Sequence, residues 1–346
     1  MIEPAAGDAE DPQLLTPRTP DTAEQIKLKR RLTRLERAKD SIAQATDNML
    51  QLAARRPRAA VLRIRSSFVR RDHPAPGNFS DRSLPPPHLR PPATRLISAN
   101  GAALRIFLTA LFDAQTSTAK AGTHPTNRRP LKGTRGITGW IDLIASPAQY
   151  ARRGAGAATI NDKKLRQLDA TLVRLASDEL IMLPNVEAGA NKRAGFELLD
   201  EGGQRAQGPN DRYVLPKPAE KGVFSIPLTL FTQGWVHCLE DTELAMLLLL
   251  AEAGAKRKPV KIQSDYRLRH CGLGRDAYEA HIMLNRLGLI TVLPDPNRRP
   301  NGKVEGYGMK GARLHTFNMF PENLATPAYD AVTNAINEAL LQAEIT

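Results

Sequence analysis

Hydrophobic side chains at Leu28, Leu35, Ile42 and Met49 recur every seven residues, with Ala38, Ala45 and Leu52 three places after the last three. That spacing predicts a coiled-coil-like helix from about Thr22 to Arg56. The start chemistry agrees. Thr22 with Gln25 fits a capping box, Asp21 is an alternative cap, and Glu24 lies in the first turn, where the helix dipole favours an acid. Pro57 ends the pattern. A second basic stretch, Arg55 to Arg71, has Val61, Ile64 and Phe68 as its apolar positions, and the two together are read as a helical arm over 21–72. Residues 1–20 are acidic and aperiodic, which reads as disorder. Seven prolines between His73 and Pro92 exclude a helix or a central strand, so 73–94 reads as an extended, semi-rigid linker.

Beyond Arg95 the texture is that of a packed domain, and one order of elements occurs twice. Ala102 to Ala114 predicts a helix with Leu104, Phe107, Leu108 and Leu111 on one face. Trp140 to Ile144 predicts a short buried helix. A longer one follows Asn161 or Asp162, with Leu165, Leu168, Leu172 and Leu175 as its core face. Leu180 to Leu183 and Gly195 to Leu199 then read as two strands around a polar tip. Residues 201–220 are a polar linker. The second copy runs from a helix at Leu239 to Ala253, through a short helix at Ser264 to His270 and a turn at Cys271 to Gly274, to a helix at Arg275 to Leu287. A strand at Leu289 to Leu293, a basic hairpin and a return strand at Leu314 to Met319 complete it. The expected units are 95–200 and 221–320, with a C-terminal helical segment over 321–346. The fold class expected is mainly α with small β-hairpins, an α+β arrangement.

Charge narrows the partner. Of 346 residues, 49 are Lys or Arg and 36 Asp or Glu, a formal net charge of +13. Residues 1–95 alone hold 18 basic and 11 acidic side chains, so about half the excess sits in the N-terminal quarter. Such an excess favours a polyanion, nucleic acid first and an anionic membrane surface second. The longest apolar run, Ala245 to Ala251, is too short for a membrane span, and Met1 to Asp11 has no apolar core for a signal peptide. Two cysteines, Cys238 and Cys271, build no disulfide framework, and no Cys/His spacing suits zinc. The expectation is a cytoplasmic, nucleoid-associated protein without structural metal or cofactor.

The two copies align where helix meets strand. Leu172-Val173-Arg174-Leu175, then Leu180-Ile181-Met182-Leu183-Pro184, is echoed by Leu284-Asn285-Arg286-Leu287, then Leu289-Ile290-Thr291-Val292-Leu293-Pro294. The segment Tyr266 to Tyr278, ending in Leu287-Gly288-Leu289-Ile290, resembles the turn, recognition helix and wing junction of bacterial winged helix-turn-helix proteins. Over 95–320 the chain is similar in architecture to the tandem winged-helix replication initiators of plasmids and mobile elements. That resemblance implies sequence-specific duplex DNA binding in replication initiation or transcriptional regulation. A winged-helix scaffold that binds other proteins, or an RNA-binding protein, is the alternative.

Within that reading Arg275, Asn285 and Arg286 are the base-contact candidates of the second unit, because Arg and Asn make bidentate contacts with base edges. The plainer reading is a solvated helix face, which Asp276 and Glu279 support because phosphates repel carboxylates. Arg298, Arg299, Lys303, Lys310 and Arg313 make the second hairpin a candidate for lying along a phosphate backbone. In the first unit Lys163, Lys164 and Gln167 decorate the corresponding helix, and Lys192 and Arg193 its hairpin. Arg30, Arg31 and Arg34 are the arm's candidates. The arm is also expected to form a homodimer through Leu28, Leu35, Ile42 and Met49, although Arg31 falls on the seam. No metal-ligand spacing, phosphate-binding loop or paired carboxylates are present, and the chain is not read as an enzyme.

Overall fold

Asp21 caps the first helix of the computed structural model, which describes residues 18–56, 60–98, 102–134, 136–146, 159–184, 193–203, 208–254, 259–295 and 314–345. Its side chain accepts from the Glu24 amide at 2.9 Å, and the Glu24 carboxylate accepts from the Asp21 amide at 3.0 Å. Helix α1 spans Thr22–Ala54. After it come β1 (Val61–Arg65), a single turn α2 (Pro92–Arg95), α3 (Ala103–Thr116), α4 (Ile160–Ser177), β2 (Ile181–Met182) and β3 (Glu197–Leu198). The chain continues through β4 (Val223–Pro227), the single turns α5 (Thr229–Thr232) and α6 (Trp235–Cys238), and α7 (Asp241–Ala253). It ends with β5 (Val260–Lys261), α8 (Ser264–Arg269), α9 (Arg275–Arg286), β6 (Ile290–Leu293), β7 (Thr316–Met319) and α10 (Ala328–Ile345). The fold is mixed α and β, with small antiparallel sheets: β1 with β4, β2 with β3, and β5-β7-β6 with β7 in the middle.

The seam of α1 is used inside the chain. Leu35, Ala38, Ile42, Ala45, Met49 and Leu52 are buried, and the helix packs on α10, α5 and the short 3-10 turn Trp140–Leu143. Each fully buried leucine or methionine of such a seam contributes about 1.5–3 kcal/mol. Leu35, Ile42 and Met49 of the expected homodimer contact are thus covered within the chain, while Leu28 stays half-buried.

The stretch after Pro57 is a strand and not part of a helical arm. Leu62 lies opposite Ile226 and Ile64 opposite Phe224, all four buried, while Arg63 and Arg65 alternate toward the other face. The Gln115 side chain brackets Arg63, accepting from its amide at 2.9 Å and donating to its carbonyl at 2.6 Å. Nor do the Pro-rich residues hang free. The Ala75 amide donates to the Arg269 carbonyl at 2.9 Å, and Arg267 pairs with Asp81 at 2.7 Å. This segment is a strap over α8.

The described parts of the expected boundary, 201–203 and 208–220, are also packed. Glu201, Tyr213 and Leu215 are buried, and Arg65 reaches Glu201 at 2.6 Å and Glu220 at 2.8 Å. The faces expected to form two cores, Leu104, Phe107, Leu168, Leu172 and Leu175 on one side and Leu244, Leu247, Leu248 and Leu284 on the other, belong to one continuous apolar cluster. Leu287 packs against it partly buried. The arm and both segments share one interior.

Candidate nucleic-acid interface

Helix α9 starts from Gly274, which has no side chain to cap it, and carries Asp276 in its first turn. Its inner face buries Ala277, Tyr278, Ala280, His281, Met283 and Leu284. Arg275 and Asp276 are exposed, and Glu279, Ile282, Asn285 and Arg286 are half-buried. The turn that delivers the helix needs glycine at Gly272. Its φ is +60°, and a Cβ there would lie 2.7 Å from Cγ of Arg90.

Two clefts adjoin along α9. The first, about 630 Å³, lies between the strap and the N-terminal ends of α7 and α9, and is lined by Arg82, Leu84, Arg90, Thr94, Arg275 and Asp276 among others. The second, about 650 Å³, lies between the first half of α1 and α9, where Lys27, Leu28, Arg30 and Arg34 face Glu279, Ile282, Met283 and Arg286. Glu240 and Asp276 line both.

Most carboxylates of these clefts are already neutralised. Glu243 meets Arg31 at 2.6 Å, Asp241 meets Arg105 at 3.3 Å, Asp81 meets Arg267 at 2.7 Å, and Glu279 meets Arg275 at 2.8 Å. Glu240 pairs with Arg34 and Arg31, and these two hold its carboxyl below the usual range although burial opposes them. Among the described residues Asp276 is the one lining carboxylate without an ion-pair partner. The cations are less fully used. Lys27, Arg30 and Arg82 make no ion pair among the described residues. Arg90 donates to the Pro85 carbonyl at 2.5 Å, and Arg286 donates to the Arg18 carbonyl. Burial lowers the pKa of both guanidinium groups, and a bound anion would favour their charged form again. The lining therefore keeps an excess of positive charge around α9.

Several sequence candidates are placed elsewhere. Arg31 is buried in the seam, and although it borders the second cleft its guanidinium is engaged by Glu243 and the Cys238 carbonyl. Lys164 is 7% exposed and lies on the core side of α4, where burial lowers its pKa. Lys163 and Gln167 are half-buried on the same helix, and Arg193 pairs with Asp169. Arg275 is exposed but tied to Glu279, and Asn285 sits at the edge of α9. Lys192, Arg298, Arg299, Lys303, Lys310 and Arg313 lie outside the described residues. Sequence reasoning missed Arg82 and Arg90 because they stand in a Pro-rich segment without periodicity, and nothing local reveals that it folds back beside α9.

Several aromatic, histidine and cysteine groups are held in buried or half-buried contacts. Trp235 is fully buried and donates to the carbonyls of Leu324 and Thr326 at 3.0 and 3.1 Å. Tyr266 stacks on His270 at 4.9 Å, and Tyr278 meets the Phe317 edge at 6.0 Å. Burial pushes the Cys238 and Cys271 thiols up to about 12 and His237 down to about 3, which leaves none of them poised to react near neutrality. Among the described residues no helix is long and apolar enough to cross a membrane. No family model, curated protein or solved structure matches this chain.

Proposed function

We propose that the protein binds duplex DNA, with α9 entering the major groove and the two clefts receiving the flanking backbones. The observation that carries this reading is the charge balance around α9: an outward helix between two clefts whose unpaired charges are cationic except for Asp276. Element order supports it. Helix α7, strand β5, helix α8, a five-residue turn, helix α9 and strands β6 and β7, with β7 between its neighbours, is the order of a winged helix-turn-helix in which α9 is the recognition helix. The first segment supports a second reading head less well, since Lys164 of α4 points inward and its β2–β3 pair is joined, among the described residues, only by the isolated bridge Leu199–Arg212. By resemblance the role is replication initiation or transcriptional control on a plasmid or mobile element.

One observation favours a protein partner instead. On α9 itself Arg275 and Arg286 are balanced by Asp276 and Glu279, and Arg275 is already paired. A mobility-shift titration of the full chain on duplex DNA separates the two readings. Affinity that falls by about tenfold or more between roughly 50 and 200 mM salt is expected, because phosphate contacts release counterions. No shift even at the lower salt would transfer α9 to a protein-binding role.

A further inference from the structure

Helix α1 carries more positive charge than the cleft beside α9 uses. Lys27, Arg30, Arg34 and Arg37 fall at i, i+3, i+7 and i+10. At about 1.5 Å and 100° per residue, they form one stripe roughly 15 Å long. All four are exposed. Lys27, Arg30 and Arg37 make no side-chain hydrogen bond or ion pair among the described residues, and Arg34 pairs with Glu240. On the same helix Glu36 is turned about 140° from the mean direction of the stripe, and Glu24 and Asp40, three residues before Lys27 and three after Arg37, about 100°; Glu24 is already paired with Arg18. Lys27, Arg30 and Arg34 also line the cleft against α9, so stripe and recognition helix share one surface.

The stripe is held in place from below. Nη1 and Nη2 of Arg31 donate to the two carboxylate oxygens of Glu243 at 2.6 and 2.8 Å, and Nη2 also donates to the Cys238 carbonyl at 2.9 Å. A planar fork held at three points resists both rotation and sliding of the helix. We infer that the stripe Lys27–Arg30–Arg34–Arg37 is a backbone-binding track for duplex DNA, independent of sequence and additional to the contacts of α9. With one phosphate per 3.4 Å of axis on each strand, its length matches about four nucleotides of one strand. This inference rests on the DNA reading of α9.

The test uses the full-length protein and the triple variant K27Q/R30Q/R37Q, which leaves Arg31 and Arg34 in their ion pairs. Binding to a preferred duplex and to a random duplex is measured across salt, and thermal melting checks that the fold is intact. The expected variant melts like the wild type, loses at least about tenfold in affinity on both duplexes alike, and has a log–log salt slope shallower by roughly 2 to 3. A wild type that binds duplex DNA while the variant keeps the same slope and affinity would overturn the stripe and leave the α9 reading standing. A loss confined to the preferred duplex would overturn it too, since a backbone track carries no sequence information. A wild type that binds no duplex at any salt would overturn both.

Discussion

Arg31 and Glu243, 212 residues apart in the chain, meet as a buried bidentate pair at 2.6 and 2.8 Å. An arginine on the apolar seam of a lone helix would be costly to bury, and its partner on α7 resolves that conflict. Removing Glu243 leaves the buried guanidinium only the Cys238 carbonyl and the longer 3.6 Å contact with Glu240, so Glu243→Ala is expected to cost about 3 kcal/mol. The double change Arg31→Met with Glu243→Leu is expected to stay within about 1–2 kcal/mol of the wild type or exceed it. Urea unfolding of both variants measures the difference, and a single variant as stable as the double one would show that the pair does not hold α1.

Acid and base affect a second buried group in the opposite sense from an ordinary carboxylate. Burial raises the Glu201 carboxyl from 4.5 to about 7, although Arg65 at 2.6 Å pulls it down. Between those values the folded chain holds a proton that the unfolded chain has lost, so stability is highest below about 4.5 and falls as pH rises through 7. Glu201→Gln removes the titration. The difference between the two stability curves, measured by urea at a series of pH values, is expected to grow by up to a few kcal/mol across that window, at about 1.4 kcal/mol per pH unit. Parallel curves would place the Glu201 carboxyl outside the window.

Gly272 ties the fold to the first cleft. With φ at +60° and Arg90 Cγ 2.7 Å from the position of a new Cβ, Gly272→Ala strains the turn and displaces the strap. A loss of about 1–3 kcal/mol is expected. DNA affinity is expected to drop with it, because Arg90 moves. An alanine variant with unchanged melting and unchanged affinity would contradict this role.

Base reading and backbone contact should separate by substitution. Arg275→Ala is expected to relax discrimination at one base position by about 1–3 kcal/mol, whereas Arg82→Gln with Arg90→Gln weakens all duplexes alike. Competition between a library of duplexes reads both effects in one experiment. Uniform weakening by Arg275→Ala would reassign that residue to the phosphates.

The seam of α1 was legible because a helical period marks a buried face directly: Leu35, Ile42 and Met49 are all covered. What covers them was not, since periodicity names no partner and α10 lies at the far end of the chain. Strand β1 reads as part of the arm because Val61, Ile64 and Phe68 fall at the helical spacing i, i+3, i+7, whereas the buried alternation is Leu62 with Ile64, set by a pairing with β4 that joins residues far apart in sequence. On α4 the expected core face included Leu165, whereas Lys164 is the more buried of the two, its aliphatic stem carrying it inward. Proline content keeps longer helices and central strands out of the strap, but Pro87–Leu89 forms a 3-10 turn and Pro92 opens α2, where a missing amide costs nothing, and it says nothing of the backbone bonds that pin Ala75 to Arg269. For the site, the basic excess and α9 were readable from one dimension. The clefts were not, because three segments from different parts of the chain build them.

The placement of α9 against DNA is tested most directly by photo-crosslinking. A benzophenone amino acid is introduced at Ile282, on the outward side of α9, and separately at the exposed Val173 of α4. With duplex DNA at low salt, efficient crosslinking from 282 and little from 173 is the result expected. Equal yields from both positions, or none from 282 while DNA is bound, would contradict α9 as the helix that enters the groove.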